Sequence, residues 1–165
     1  MAYHSVIIKN YLNNFEEYAA SEALSPGMLV EPVSGAATIK KHATEGGDAI
    51  PMFAIEDALQ GKGLEDAYVA GDQVRVWIAQ RGDEVYAQLE DEQTIVIGDL
   101  LESNGGGYLQ KHLPDEASEG SAAAQTTVYA QGIVAVALEA LDLSSLSAAG
   151  SSDTPTRQFI RVRIV

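Results

Sequence analysis

The chain has 165 residues, enough for one domain with a sizeable core and too few for a two-domain enzyme with its own cofactor fold. Ten Lys and Arg face 24 Asp and Glu, and the formal net charge of −14 repels phosphate backbones and argues against nucleic acid as a partner. The absence of cysteine excludes disulfides, zinc thiolate sites, iron–sulfur clusters and thiol nucleophiles. There is no basic-then-apolar leader and no apolar run near the roughly 20 residues of a membrane span, so a soluble, unexported protein with no membrane partner is expected.

The charge is unevenly placed. Lys9, Lys40 and Lys41 nearly balance Glu16, Glu17, Glu22 and Glu31 in residues 1–42, whereas Lys62, Arg75, Arg81 and Lys111 are swamped by the acids of residues 43–142. Residues 143–165 are mildly basic through Arg157, Arg161 and Arg163. Acidic loops that keep a domain soluble explain this, as does an acidic outer face with less charged ends that contact something.

In chain order, Tyr3, Val6, Ile7, Ile8, Tyr11, Leu12, Phe15 and Tyr18 make the first eighteen residues apolar and aromatic. Residues 1–24 are therefore read as an extended N-terminal arm, in part helical, ahead of a β-rich domain over 25–165. Two readings of the arm stand side by side. The spacing of Tyr11, Phe15 and Tyr18 fits a helix over 10–20 packed on the domain, and exposed aromatics would equally anchor a partner-docking arm.

Ser25-Pro26-Gly27 signals a turn into a first strand within 27–33. The AIPMFAI run at 49–55 reads as a strand, with a helix over 52–60 as the other choice, cut short by Gly61 and Gly63. Val74, Val76 and Ile78 alternate with Gln73, Arg75 and Trp77, and Val85, Ala87 and Leu89 alternate with Glu84, Tyr86 and Gln88. That period of two predicts two strands, paired as a hairpin with Arg81-Gly82-Asp83 at its tip. Gly-Asp recurs at 71, 82 and 98, where glycine supplies a positive φ and aspartate caps the backbone. The TIVI run at 94–97 precedes the third pair, and the Gly105-Gly106-Gly107 cluster marks a further turn before Tyr108 and Leu109. Loops are expected near 114–126 and 144–156, a strand within 128–143 and a terminal strand over 159–165 held in a sheet. Short strands joined by such turns define a mainly β chain, a small β-barrel or sandwich-like domain.

Chemistry is sparse. His4, His42 and His112 lie far apart with no metal-binding spacing and read as surface histidines, and neither a nucleophile elbow nor a P-loop occurs. Carboxylates cluster at Glu90-Asp91-Glu92 and at Asp115, Glu116 and Glu119 without calcium-loop spacing, and read as solvated loop charge. No catalytic residue, metal ligand or cofactor is assigned, and an enzyme using Glu90 or Asp91 with Asp99 ranks last.

Several runs, taken together and in order, resemble the head decoration, or cement, proteins of tailed bacteriophages. They are Ala54-Ile55-Glu56, Gly61-Lys62-Gly63, Ala67-Tyr68 and Gly71-Asp72-Gln73-Val74, then Gly82-Asp83-Glu84-Val85-Tyr86-Ala87, Gly98-Asp99-Leu100-Leu101, Gly107-Tyr108-Leu109 and Val136-Ala137-Leu138-Glu139-Ala140. The resemblance spans roughly residues 25–165 and rests on turn and strand patterns rather than chemistry. It implies a small, β-rich, non-enzymatic protein made in the host bacterial cytoplasm and placed in the virion, on the capsid exterior. There a homotrimer would sit at threefold or quasi-threefold positions and clamp neighbouring major capsid protein subunits after expansion. Tyr3, Val6, Ile8, Tyr11, Phe15 and Tyr18 of the arm are the expected capsid contacts. A β-barrel binding module for a glycan or host surface, stacking on Trp77, Tyr86, Tyr108 and Tyr129, is the alternative.

Overall fold

A computed structural model describes residues 3–112, 132–144 and 158–165. Its strands are β1 (Ile7–Lys9), β2 (Phe15–Ala20), β3 (Val30–Pro32), β4 (Thr38–Lys41), β5 (Met52–Ala54), β6 (Gln73–Ile78), β7 (Glu84–Leu89), β8 (Thr94–Ile95), β9 (Leu100–Ser103), β10 (Leu109–Lys111), β11 (Ile133–Ala137), β12 (Leu141–Asp142) and β13 (Gln158–Ile164). One short 3-10 turn, Ala58–Gln60, ends at Gly61. The architecture is the mainly β barrel that the alternation predicts.

Five strands close a barrel in the order β7-β10-β9-β11-β13, with β13 returning to β7. β13 pairs antiparallel along the whole of β7, from Gln158 opposite Leu89 to Arg163 opposite Glu84. The other edge of β7 is shared, by β1 at Val85 and by β10 at Leu89. Val85, Ala87, Leu89, Ile160, Val162 and Ile164 point into the barrel core, as the period of two requires.

A second sheet runs β3-β4-β2-β6-β5 around its own core of Leu24, Met28, Val30, Ile39, Met52, Ala54, Tyr68, Val74 and Val76. It also curls on itself. Gly27 N–H donates to the Ala54 carbonyl at 2.8 Å, Ala54 N–H donates to that of Met28 at 3.0 Å, and Leu29 bridges Phe53. Gly27 has to be glycine twice over, because its φ is +85° and a Cβ would come within 2.6 Å of the Phe159 ring.

The two cores share a wall. Trp77 of β6 lies between Phe15 of β2 and Phe53 of β5 in one cross-strand row, and this row belongs to the barrel core. One residue along, the same strands turn Ala54 and Val76 the other way, into the second core. At these rows both faces of the wall are buried, with Trp77, Phe53, Ala54 and Val76 wholly inaccessible.

Two expectations are corrected here. The strands at 73–78 and 84–89 do not form a hairpin: β6 pairs with β2 and β5, whereas β7 pairs with β1, β10 and β13. The 80–83 turn carries the chain from one sheet to the other, since each strand buries more by joining a separate core. Residues 3–24, in turn, are woven into both sheets rather than extended as an arm, and no helix forms over 10–20. β2 is a strand at the centre of the second sheet, with Phe15 on the barrel side and Tyr18 and Ala20 on the other. A helix would offer one apolar stripe, and this position demands two apolar faces.

The run at 49–55 contributes β5, and the 3-10 turn accounts for what looked helical beyond it. The predicted loops at 114–126 and 144–156 lie outside the described residues, save Ser144 in the second. Within 128–143 the described part begins at Gly132 and carries β11 and β12, while the terminal strand is β13, inserted between β11 and β7.

All three Gly-Asp pairs build one turn. Asp72, Asp83 and Asp99 each donate a backbone N–H to the carbonyl three residues back, at 3.0 to 3.1 Å, and each accepts that residue's N–H on its carboxylate, at 2.7 to 3.0 Å. The glycine between has φ of +94° to +95°, the positive value a type II turn needs at its third position. Each turn launches a strand: β6, β7 or β9.

Deleting residues 1–18 removes β1 and most of β2, exposing Trp77 and Val76 together. The truncated protein is expected to lose its cooperative thermal transition by circular dichroism, and a melt like that of the full chain would show that the wall does not depend on β2.

Candidate attachment surface

Of the six residues expected to touch a capsid, Tyr11 alone is mostly exposed, at 64%. Val6 is fully buried in the barrel core, where its carbonyl accepts from Tyr86 N–H at 2.8 Å and its N–H donates to Glu56 at 3.1 Å. Phe15 lies in the wall with the Arg75 guanidinium 4.5 Å over its ring. Tyr18 packs on the second core, and its hydroxyl donates to the Glu16 carboxylate. That carboxylate, followed by burial, holds the Tyr18 phenol above its ordinary range. Ile8 is half-buried in β1. Of the six, Val6 is thus buried and Phe15 and Tyr18 pack on the two cores, while Tyr3 and Ile8 are half-buried and Tyr11 stands in water.

Tyr3 belongs to a separate feature on the outer wall of the barrel. Its ring meets that of Tyr86 edge-on at 5.2 Å, and Tyr86 stacks on Phe159 at 4.8 Å. The Arg161 guanidinium stands 5.9 Å from the Tyr3 ring and, with Arg163, grips Glu84. Glu84 is 3% exposed and accepts from Arg161 Nε at 3.0 Å and from Arg163 at 2.7 Å. The cause is register: Arg163 lies directly opposite Glu84, and Arg161 is two residues along the same face. The Arg163 and Arg161 guanidinium groups hold the Glu84 carboxyl below the ordinary carboxylate range, while burial works against them.

Among the described residues the stacking surface of the glycan reading is not assembled. Trp77 is wholly buried, Tyr108 packs against the second core, and Tyr86 has its faces engaged by Tyr3 and Phe159. Tyr129 lies outside the described residues.

The carboxylates singled out in the sequence are held by their own neighbours. Glu90 accepts from Asn104 at 3.1 Å, Asp91 accepts from Glu92 N–H at 2.9 Å, and Asp99 pairs with Lys111 at 2.8 Å. Among the described residues no group of three His, Cys, Asp or Glu could hold a metal ion. Asp115, Glu116 and Glu119 lie outside them.

His4 is exposed, His112 is half-buried against Glu102, and His42 is a correction to the surface reading. His42 is 3% exposed and joins the two sheets: Nδ1 meets Ser103 Oγ of β9 at 2.7 Å, and Nε2 lies 3.2 Å from the Asp48 carbonyl and 3.6 Å from Glu31. The set looks like a nucleophile and its base, yet Ser103 has no accessible surface, so what the contact does is tie β4 to β9. Nothing in the spacing of His42 and Ser103, 61 residues apart, signals it.

The fold therefore defines a small mainly β domain whose closed five-stranded barrel adjoins a second curled sheet. It is similar to the N base of the head fiber protein gp8.5 of bacteriophage phi29, with a TM-score of 0.52 over 93% of this chain and 95% of that one, at 14% sequence identity. No protein-family model and no curated protein sequence matches the chain.

Replacing Glu84 by Gln should lower stability at neutral pH by about 1–2 kcal/mol, the range of charge-assisted hydrogen bonds reduced by screening at the exposed guanidinium ends. Because the folded carboxyl titrates below its unfolded value of about 4.3, this contribution is complete above that pH and disappears as pH falls through the folded value. Urea unfolding of both proteins from pH 7 downward should show the gap closing on acidification, and a gap independent of pH would remove the charge from the account.

Proposed function

We propose that this chain is a non-enzymatic structural protein of a tailed-phage head, one that decorates the outside of the expanded shell and clamps neighbouring major capsid subunits. The observation that carries the reading is the agreement in fold with a head fiber base across nearly the full length of both chains. It meets the independent resemblance of the ordered turns and strands to head decoration proteins. The two point to the same coarse role, a structural part of the phage head, and the clamping role is the finer step taken here.

Physical support comes from how the chain uses its residues. Two cores and a closed barrel give a rigid body, so little ordering entropy is lost on attachment. The net charge of −14 keeps such a protein soluble before assembly and away from the packaged DNA. Attachment as a homotrimer at threefold positions would let three modest contacts act as one strong one. Docking through a detached N-terminal arm is no part of this reading, because residues 3–24 are built into the sheets.

Light scattering coupled to size exclusion, followed by co-sedimentation with DNA-filled heads of the phage that encodes the chain, tests the reading. A mass three times that of the chain and pelleting with heads are expected. A monomer that stays in the supernatant would overturn it.

A further inference from the structure

Of the four asparagines in the chain, Asn104 alone precedes a glycine. An Asn-Gly pair is chemically labile, because the glycine nitrogen, with no side chain beside it, can close on the asparagine carboxamide. The fold demands both residues. Asn104 Oδ1 accepts from Gly106 N–H at 2.7 Å and from Tyr108 N–H at 3.1 Å, the side-chain turn that reverses the chain between β9 and β10. Gly105 follows with a φ of +76°, and a Cβ there would lie 3.0 Å from Glu45 N and 3.3 Å from the Ala43 carbonyl oxygen. A turn of this shape, packed on the backbone of residues 43–47, thus puts the reactive pair into the chain.

The same contacts restrain the two reacting groups. Gly105 N–H donates to Ser103 Oγ at 3.1 Å, and that oxygen meets His42 Nδ1 at 2.7 Å. Ser103 is wholly inaccessible, so the Gly105 proton is presented to a buried hydroxyl rather than to water. Asn104 Nδ2 donates to Glu90 Oε1 at 3.1 Å, and the Asn104 N–H donates to the Tyr108 carbonyl at 3.0 Å. Ring closure takes the proton from the Gly105 nitrogen and makes Nδ2 a leaving group, so both of those donated bonds have to be given up.

We infer that Asn104–Gly105 is a modification site, a self-cyclising pair that the folded 103–108 loop keeps closed and that local opening releases. The Gly105 nitrogen bonds to Asn104 Cγ and gives up its proton, the Cγ–Nδ2 bond breaks, and Nδ2 departs as ammonia. The succinimide takes up one water, leaving aspartate or, through the other carbonyl, isoaspartate at 104. Neither product donates to Glu90: aspartate sets a second carboxylate against it, and isoaspartate routes the backbone through the former side chain. The loop joins β9 to residues 43–47 through the Gly46 N–H bond to the Ser103 carbonyl at 2.8 Å and the bridge between Glu45 and Asn104. Conversion is therefore a one-way loosening of a contact between the two sheets. It is independent of the function proposed above.

The test is peptide mapping by mass spectrometry after incubation of the full chain at mildly alkaline pH, folded and in urea, with Asn10, Asn13 and Asn14 as internal controls. In urea Asn104 should convert fastest of the four. In the folded chain it should convert at least about tenfold more slowly, since only the open population reacts. Glu90→Ala, which frees Nδ2, should convert faster than wild type when folded and equally fast in urea. Should that variant fail to fold, the wild-type ratio decides alone. Asn104→Asp makes the aspartate product directly and should melt about 3 °C or more below wild type. No preferential conversion at Asn104 in urea overturns the site, and equal rates folded and unfolded overturn the lock. Faster conversion in the folded chain would make Ser103 and His42 a base relay and equally overturn it. An unchanged melt for Asn104→Asp overturns the loosening.

Discussion

The structure depends on a wall that is buried on both faces where Trp77 and Val76 lie side by side. β2, β6 and β5 separate two hydrophobic cores, and the row Phe15, Trp77 and Phe53 faces one core while Ala54, Val74 and Val76 face the other. A sheet buried on both faces gains about twice the apolar burial per strand of a sheet with one wet side. It also couples the two halves, because a change that loosens the wall opens both cores. Much of the remaining architecture follows from keeping this wall covered. The barrel lies on one side, and the curl of 27–29 onto β5 closes the other.

Coverage of the wall sets the path of the chain. After β6 the polypeptide has to leave the second sheet to build the barrel, and it does so through a four-residue turn tightened by Asp83 rather than a two-residue hairpin. Repeating this turn before β6, β7 and β9 lets short strands start abruptly without unsatisfied backbone groups, since the aspartate accepts an N–H that would otherwise be lost. Closure of the barrel falls to β13, whose Arg161 and Arg163 hold Glu84 in place while Ile160, Val162 and Ile164 fill the interior.

A rigid body of this kind suits a part that bears load. Where polar side chains are buried together, as at His42 and Ser103, they tie sheet to sheet. A body already ordered in this way loses little freedom on binding a partner.

Local chemistry carried much of this into the sequence. The period of two around Val74 to Ile78 and Val85 to Leu89, the Gly-Asp turns, the terminal strand and the mainly β barrel class were all legible, because alternation and turn preferences act over a few residues. Pairing and exposure were not. Val85 to Leu89 shows which face of β7 is apolar and nothing about whether β6 or β13 lies beside it, a choice made by the two cores. Phe15 and Tyr18 sit at helical spacing, yet between two cores a strand turns Phe15 to one and Tyr18 to the other. The same competition hid Trp77 and Val6, half-buried Phe15 and Tyr18, and left Tyr11 in water. Which of these side chains water reaches is settled only when strands far apart in the chain close the two cores, and only the tertiary structure closes them.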